Sequence, residues 1–197
     1  MSVTIRVPAM TRDQFFDWAE AQDARYEFDG FAPVAMTGGN LDHNTIAFSL
    51  HRALHARLRG TGCRPWGLDA GVATIGDTVR YPDGVVTCSP AQGLSRLVPG
   101  PVVVFEVISP TSGHMDRIVK VREYGAVDSI RRYVIVESVS VGLTVHERQE
   151  AGQKWTVTTA MADDLLLLPE IGVEIPIAEL YEGVDLPPSA SDAWPPP

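Results

Sequence analysis

Cysteine is scarce in this chain of 197 residues: Cys63 and Cys88 are too few and too far apart for a zinc ribbon or a disulfide framework. Cys88, just after an apolar strand, reads as a small core residue. Long apolar runs are missing too. Val102–Phe105 and Leu165–Leu168 are strand-sized, far below the roughly 18 residues that cross a bilayer, so no membrane partner is expected. The opening Met1-Ser2-Val3-Thr4-Ile5-Arg6 lacks the charged-then-apolar design of an export signal, which leaves the cytoplasm as the simplest compartment. No Gly-x-Ser-x-Gly elbow surrounds Ser109, which removes the support for a serine hydrolase, and Gly38-Gly39 is too short for a phosphate-cradling loop. Positive charge is also short, with 16 Lys and Arg against 25 Asp and Glu and a net charge of −9. Such a chain has no general basic coat for neutralising phosphates. Its cations cluster locally instead, at Arg52, Arg57, Arg59 and Arg64, at Arg117, Lys120 and Arg122, and at Arg131 and Arg132. A local groove therefore remains open to it, and a homodimer could combine two.

What is present is enough apolar material, 45% of residues, for one well-filled core. We expect a single domain over residues 1–186, followed by a disordered tail rich in Pro, Ser and Ala over 187–197. Thr11 with Gln14 spells a capping box for a helix to about Asp23. Tyr26–Phe31 alternates around Asp29-Gly30, the signature of a hairpin. Ile46, Leu50, Leu54 and Leu58 form an i+4 ladder in a helix from about Asn40 to Arg59. Strands are expected at Trp66–Asp69, Val72–Ile75, Val79–Thr87 and Val102–Ser109, then a helix over about Asp116–Ala126 and a strand at Arg132–Glu137. Gly142–Glu147 and Trp155–Thr159 read as a hairpin extension, and Leu165–Leu180 as a short strand with a closing helical turn. A helix between two strands permits a right-handed crossover, so the fold class is α/β with a mixed central sheet flanked by helices.

Within that frame Glu106 interrupts an otherwise apolar strand, Val102–Ile108. A buried carboxylate is costly unless its charge is compensated. Strand alternation puts Val102, Val104, Glu106 and Ile108 on one face, and Asp83, beginning the neighbouring strand, can bring its oxygens alongside. On the next helix Asp116, Lys120 and Tyr124 follow at i, i+4 and i+8 and form one stripe, with Ile118, Val119 and Val121 able to face the sheet. Two compensations are open: a salt bridge to a basic neighbour such as Lys120, or a divalent cation held between Asp83 and Glu106 with the Lys120 ammonium alongside. Mg²⁺ favours such hard oxygen ligands, and the second arrangement suits phosphodiester cleavage.

Pro82-Asp83, then Phe105-Glu106-Val107-Ile108-Ser109-Pro110, then Asp116-x-x-x-Lys120-x-x-x-Tyr124 resemble the PD-(D/E)xK nuclease motif in the variant of the Uma-two family of restriction-endonuclease-like proteins. Tyr26-Glu27-x-Asp29-Gly30, Met36 and His43 are similar to the family's N-terminal portion, and the resemblance spans about residues 10–182. It implies a restriction-endonuclease-like fold with added hairpins and a DNA substrate. It also implies Mg²⁺ (or Mn²⁺) on Asp83 and Glu106, Lys120 as the catalytic lysine, and Glu27 as an additional acid near the metal. One departure is plain: two residues beyond Glu106 stands Ile108, where the usual motif has Lys, so Lys120 would deliver the charge from the helix. Asp116 can bridge Lys120 or cap its helix, and Tyr124 can contact substrate or pack its ring. His51 and His55 have metal-ligand spacing on a helix but lack a third ligand, and read as a solvated face. His43 reads as a cap-region residue and His114 as a loop residue. The alternative function is a non-catalytic binding module that keeps the nuclease fold around a vestigial site.

Overall fold

The computed structural model describes residues 10–108 and 115–186, so the expectations placed on Ser109, Pro110, His114 and the 187–197 tail lie outside the described residues. Helix α1 (Arg12–Ala19) opens on the expected capping box, with the Thr11 hydroxyl accepting the Gln14 N–H and the Gln14 side chain accepting the Thr11 N–H. It stops short of Asp23 because the amides of Ala21 and Gln22 turn to carbonyls three residues back. Strands β1 (Tyr26–Phe28) and β2 (Pro33–Ala35) form the hairpin. Its turn is held by Asp29 Oδ1, which accepts the N–H groups of Phe31 and Ala32, and by Gly30 at φ +87°. Helix α2 (Leu41–Leu58) is capped by the Asn40 side chain and buries Ile46, Leu50, Leu54 and Leu58, the ladder expected of it.

Short strands follow: β3 (Arg64–Gly67), β4 (Val72–Ala73), β5 (Val79–Arg80) and β6 (Gly84–Thr87). The single strand expected over Val79–Thr87 is therefore broken. Pro82 has no N–H for a ladder and biases the residue before it, and the chain leaves one sheet for another at Tyr81-Pro82-Asp83. Strand β7 (Pro101–Ile108) comes next, then a π-helical turn, Met115–Lys120, that runs into α3 (Val121–Gly125). After these come β8 (Arg132–Glu137), β9 (Leu143–Glu147), β10 (Thr156–Ala160), β11 (Leu165–Leu168), β12 (Val173–Pro176) and α4 (Ile177–Leu180).

The large mixed sheet has the order β10-β9-β8-β7-β6-β3, with β7 and β8 parallel and the remaining pairs antiparallel. A smaller antiparallel sheet runs β2-β1-β5-β4, and β11 pairs with β12. Alternation along β7 divides the core. Val103, Phe105 and Val107 pack with α2, whereas Val104 and Ile108 pack with Tyr124, Ile130, Tyr133 and Ile135 on the crossover side. Phe15, Phe16, Phe28 and Val79 make a third cluster beneath α1.

Two local expectations are corrected. Ile118 does not face the sheet: it is 53% exposed, and the crossover buries Asp116, Lys120, Glu123 and Tyr124 instead. Cys63 and Cys88 are joined in a disulfide, because pairing of Arg64 with Thr87 sets the flanking cysteines opposite each other at the end of β3 and β6. Cys88 is exposed there rather than part of the core.

Candidate active site

The break at Pro82 and the middle of β7 meet. Gly84 pairs with Phe105, so one further step along the antiparallel register sets Asp83 opposite Glu106. Asp83 Oδ2 accepts the Val107 N–H at 2.8 Å and lies 3.3 Å from His43 Nε2. His51 Nε2 stands 2.6 Å from the main-chain carbonyl of Asp83. Helix α2 thus holds this residue by side chain and by backbone. His43 and His51 are neither a plain cap residue nor part of a solvated face, whereas His55 is exposed. The Asp83 carboxylate raises the His43 pKa by hydrogen bonding, against an opposing effect of burial.

Glu106 Oε1 accepts from Lys120 Nζ at 2.8 Å and from the Tyr124 hydroxyl at 2.9 Å. Lys120 Nζ also lies 3.2 Å from Asp116 Oδ1 and 3.4 Å from Glu27 Oε1. The stripe of Asp116, Lys120 and Tyr124 therefore turns inward as one unit. Asp116 sits beside the ammonium, and Tyr124 both packs its ring and donates to Glu106. Glu27 is buried in β1 rather than on a surface, and its Oε1 also faces the Tyr81 N–H at 3.3 Å.

A second buried cation completes the cluster. Arg80 donates from Nε and Nη2 to Glu123, at 2.6 and 2.7 Å, and from Nη1 to Glu27 Oε2 at 3.0 Å. Five buried carboxylates (Glu27, Asp83, Glu106, Asp116 and Glu123) thus stand against the two buried cations Arg80 and Lys120, with His43 at the margin. The surplus is felt at Glu106. Burial pushes its carboxyl up to about 8 against the relief that Lys120 brings, and the nearby Asp83, Asp116 and Glu27 add to the rise. Burial opposes the charge on Lys120, but Glu106, Glu27 and Asp116 together hold the ammonium above its ordinary range.

The cations expected to line a groove are mostly engaged elsewhere. Arg52 pairs with Glu182, Arg57 with Glu179, Arg117 with Glu137, and Arg132 with Glu147 and Glu170. Arg59, Arg64 and Arg122 are exposed. No helix among the described residues is long and apolar enough to cross a membrane.

Residues 12–178 match the model of the Uma2 family, described as putative restriction endonuclease. The chain belongs to the Uma2 family. An uncharacterized protein of Synechocystis sp. is 28% identical over 180 residues, which cover 90% of this chain and 94% of that one. The crystal structure of a putative nuclease belonging to DUF820 from Anabaena variabilis is similar in fold, with a TM-score of 0.65 at 16% identity over 87% of this chain and 97% of that chain. The six-stranded mixed sheet with its helices is accordingly a nuclease-like α/β architecture.

In this Uma2 chain, reading the sequence missed Arg80 and Glu123. Each carried a weak signal. Arg80 is a charge next to Val79 at the start of what read as an apolar strand, and Glu123 lies three residues beyond Lys120 on the same helical stripe. Their pairing joins the small sheet to α3 across 43 positions, which no local pattern encodes.

Proposed function

We propose that the chain is a Mg²⁺-dependent nuclease that hydrolyses phosphodiester bonds in DNA. Asp83 and Glu106 are the proposed metal ligands, and Lys120 is a lysine relocated to the crossover helix, since Ile108 occupies the usual place two residues beyond Glu106. One observation carries this reading: Lys120 Nζ rests on Glu106 Oε1 at 2.8 Å inside a buried cluster with more carboxylates than cations. The donor set fits the ion. Among the described residues no three His, Cys, Asp or Glu side chains converge into a ready-made metal nest. Mg²⁺ does not need one, because it binds through one or two carboxylates and keeps several waters, and Mn²⁺ accepts similar oxygen ligands.

When bound, the cation supplies Lewis acidity toward a phosphoryl oxygen. The chain's own groups do the rest. The Val107 N–H and His43 orient the Asp83 carboxylate, while Lys120 and Tyr124 fix Glu106 through one of its two oxygens. The Lys120 ammonium stays charged among its three carboxylates and can stabilise negative charge gathering on the phosphate. Glu27 acts on that ammonium as the additional acid, and Asp116 restrains it from its own helix. Cutting both strands of a duplex takes two such sites, so we propose a homodimer as the working form.

The test is cleavage of supercoiled, linear and single-stranded DNA with and without Mg²⁺ or Mn²⁺. Activity should require metal and vanish in Asp83→Ala, Glu106→Ala and Lys120→Ala. Clean, metal-replete wild type that leaves every DNA form intact would sink the proposal.

A second reading has its own observation: Lys120 is already engaged by three carboxylates, so part of the network is paired without any metal. On that reading the domain binds without cutting. Melting temperature separates the two, because a cation that binds the folded state raises it. Unchanged melting across a Mn²⁺ titration favours the binding module.

A further inference from the structure

Glu27 lies between two buried cations. Its Oε2 accepts from Arg80 Nη1 at 3.0 Å, and its Oε1 lies 3.4 Å from Lys120 Nζ, whereas Glu106 Oε1 is only 2.8 Å from the same ammonium. The ammonium thus sits closer to Glu106 while the guanidinium satisfies Glu27. Arg80 is 3% exposed and uses its other two donors on Glu123 of α3. The planar fork matters here, because it grips Glu123 of α3 with two nitrogens while the third reaches Glu27 of β1, a fixed geometry that a point-charge ammonium does not impose. Arg80 also immediately precedes Tyr81-Pro82-Asp83, so its strand fixes it relative to the proposed metal ligand.

We infer that Arg80 is a positioning residue for Lys120: by neutralising Glu27 it leaves the ammonium to rest on Glu106. The inference rests on the reading of Lys120 as the amine of the site. Without the Arg80 charge, Glu27 is a buried carboxylate whose nearest remaining cation is Lys120, and it draws the ammonium away from Glu106. Two roles can be told apart. If Arg80 acts by charge, neutralising Glu27 in the same molecule restores Lys120 to its place. If Arg80 only pins α3 to the small sheet, neutralising Glu27 restores nothing.

The chain offers a direct probe, since Lys120 and Lys154 are its only two lysines. Lys120 is buried and Lys154 exposed, so in protein labelled with ¹⁵N at the lysine side chain the slowly exchanging ammonium signal belongs to Lys120. We expect Arg80→Gln to move that signal and to lower metal-dependent cleavage about 10- to 100-fold, in kcat rather than KM. The double variant Arg80→Gln/Glu27→Gln should return the Lys120 signal toward wild type. Arg80→His adds no ammonium to the spectrum and keeps a shorter basic group without the fork, so it should give a smaller shift of the same sign; it carries the test if Arg80→Gln does not fold. A Lys120 signal indifferent to both Arg80 substitutions, or one that Glu27→Gln fails to restore, overturns the inference. Should wild type cut no DNA, the nuclease reading fails, yet a signal that moves and is rescued still upholds the role of Arg80.

Discussion

His51 Nε2 meets the main-chain carbonyl of Asp83 at 2.6 Å, and Gly67 makes room for that contact. A Cβ at position 67 would stand 2.9 Å from the imidazole ring, closer than side chains tolerate. Because the carbonyl accepts, His51 carries its proton on Nε2 and anchors the residue where the chain passes from the small sheet to the large one.

Gly67→Ala should therefore act through His51. The added methyl displaces the ring or the strand, at a cost of about 1–3 kcal/mol. His51→Ala loses the hydrogen bond but relieves the clash, so the double variant should be clearly more stable than the sum of the two single losses. Thermal melts of the four proteins decide it. Additive losses would mean that the ring and the methyl never compete for the same space.

Lys120 and Glu106 form a buried pair, and such pairs are costly to break from one side. Lys120→Met leaves Glu106 and its neighbours without their shared cation, so a loss of about 3–5 kcal/mol is expected in urea unfolding. Adding Glu106→Gln removes one of the stranded charges and should recover part of that loss. A double variant less stable than Lys120→Met alone would show that Glu106 draws its stability from another source.

How far the sequence could be read differs from residue to residue. The β7 alternation, the interruption at Glu106 and the stripe of Asp116, Lys120 and Tyr124 were legible, because strand and helix periods fix which side chains share a face. The burial of that stripe was harder to see. Periodicity favours turning apolar residues inward, yet this crossover leaves Ile118 outside and buries four polar or charged side chains, since charge on one element answers charge on another. The break in Val79–Thr87 had a visible cause in Pro82, but which sheet each half would join depends on pairing with β1 and β7, far away in the chain. The Cys63–Cys88 link depends in the same way on the β3–β6 register.

Tyr124→Phe offers a narrow test of how Glu106 is held. The ring keeps its place, 4.9 Å from the Tyr133 ring by centroids, and only the hydroxyl on Glu106 Oε1 is removed. A buried hydrogen bond to a carboxylate contributes about 1.5–3 kcal/mol, so the melting temperature should fall accordingly. If Glu106 serves the proposed site, metal-dependent cleavage falls as well. A variant as stable as wild type would show that the hydroxyl contributes nothing to fixing that carboxylate.

His146 provides a pH signature away from the charged cluster. It stacks on Tyr133, its partner across β8 and β9, at 5.8 Å and 24° between planes, and its Nδ1 is buried with no hydrogen-bond partner. Burial lowers its pKa below the ordinary value of 6.5. As pH falls below that value the unfolded chain takes up a proton before the folded one, so the contribution of His146 to stability is full above it and declines beneath it. His43 has the opposite sign, since its raised pKa places its loss of stability on the alkaline side of the same value. His146→Phe keeps the stack and deletes the titration. It should flatten the decline in melting temperature just below 6.5 while leaving the alkaline limb unchanged, and sparing an unpaired buried nitrogen should add stability on the order of 1 kcal/mol at neutral pH. An acid limb as steep in His146→Phe as in wild type would assign that decline to the carboxylates instead.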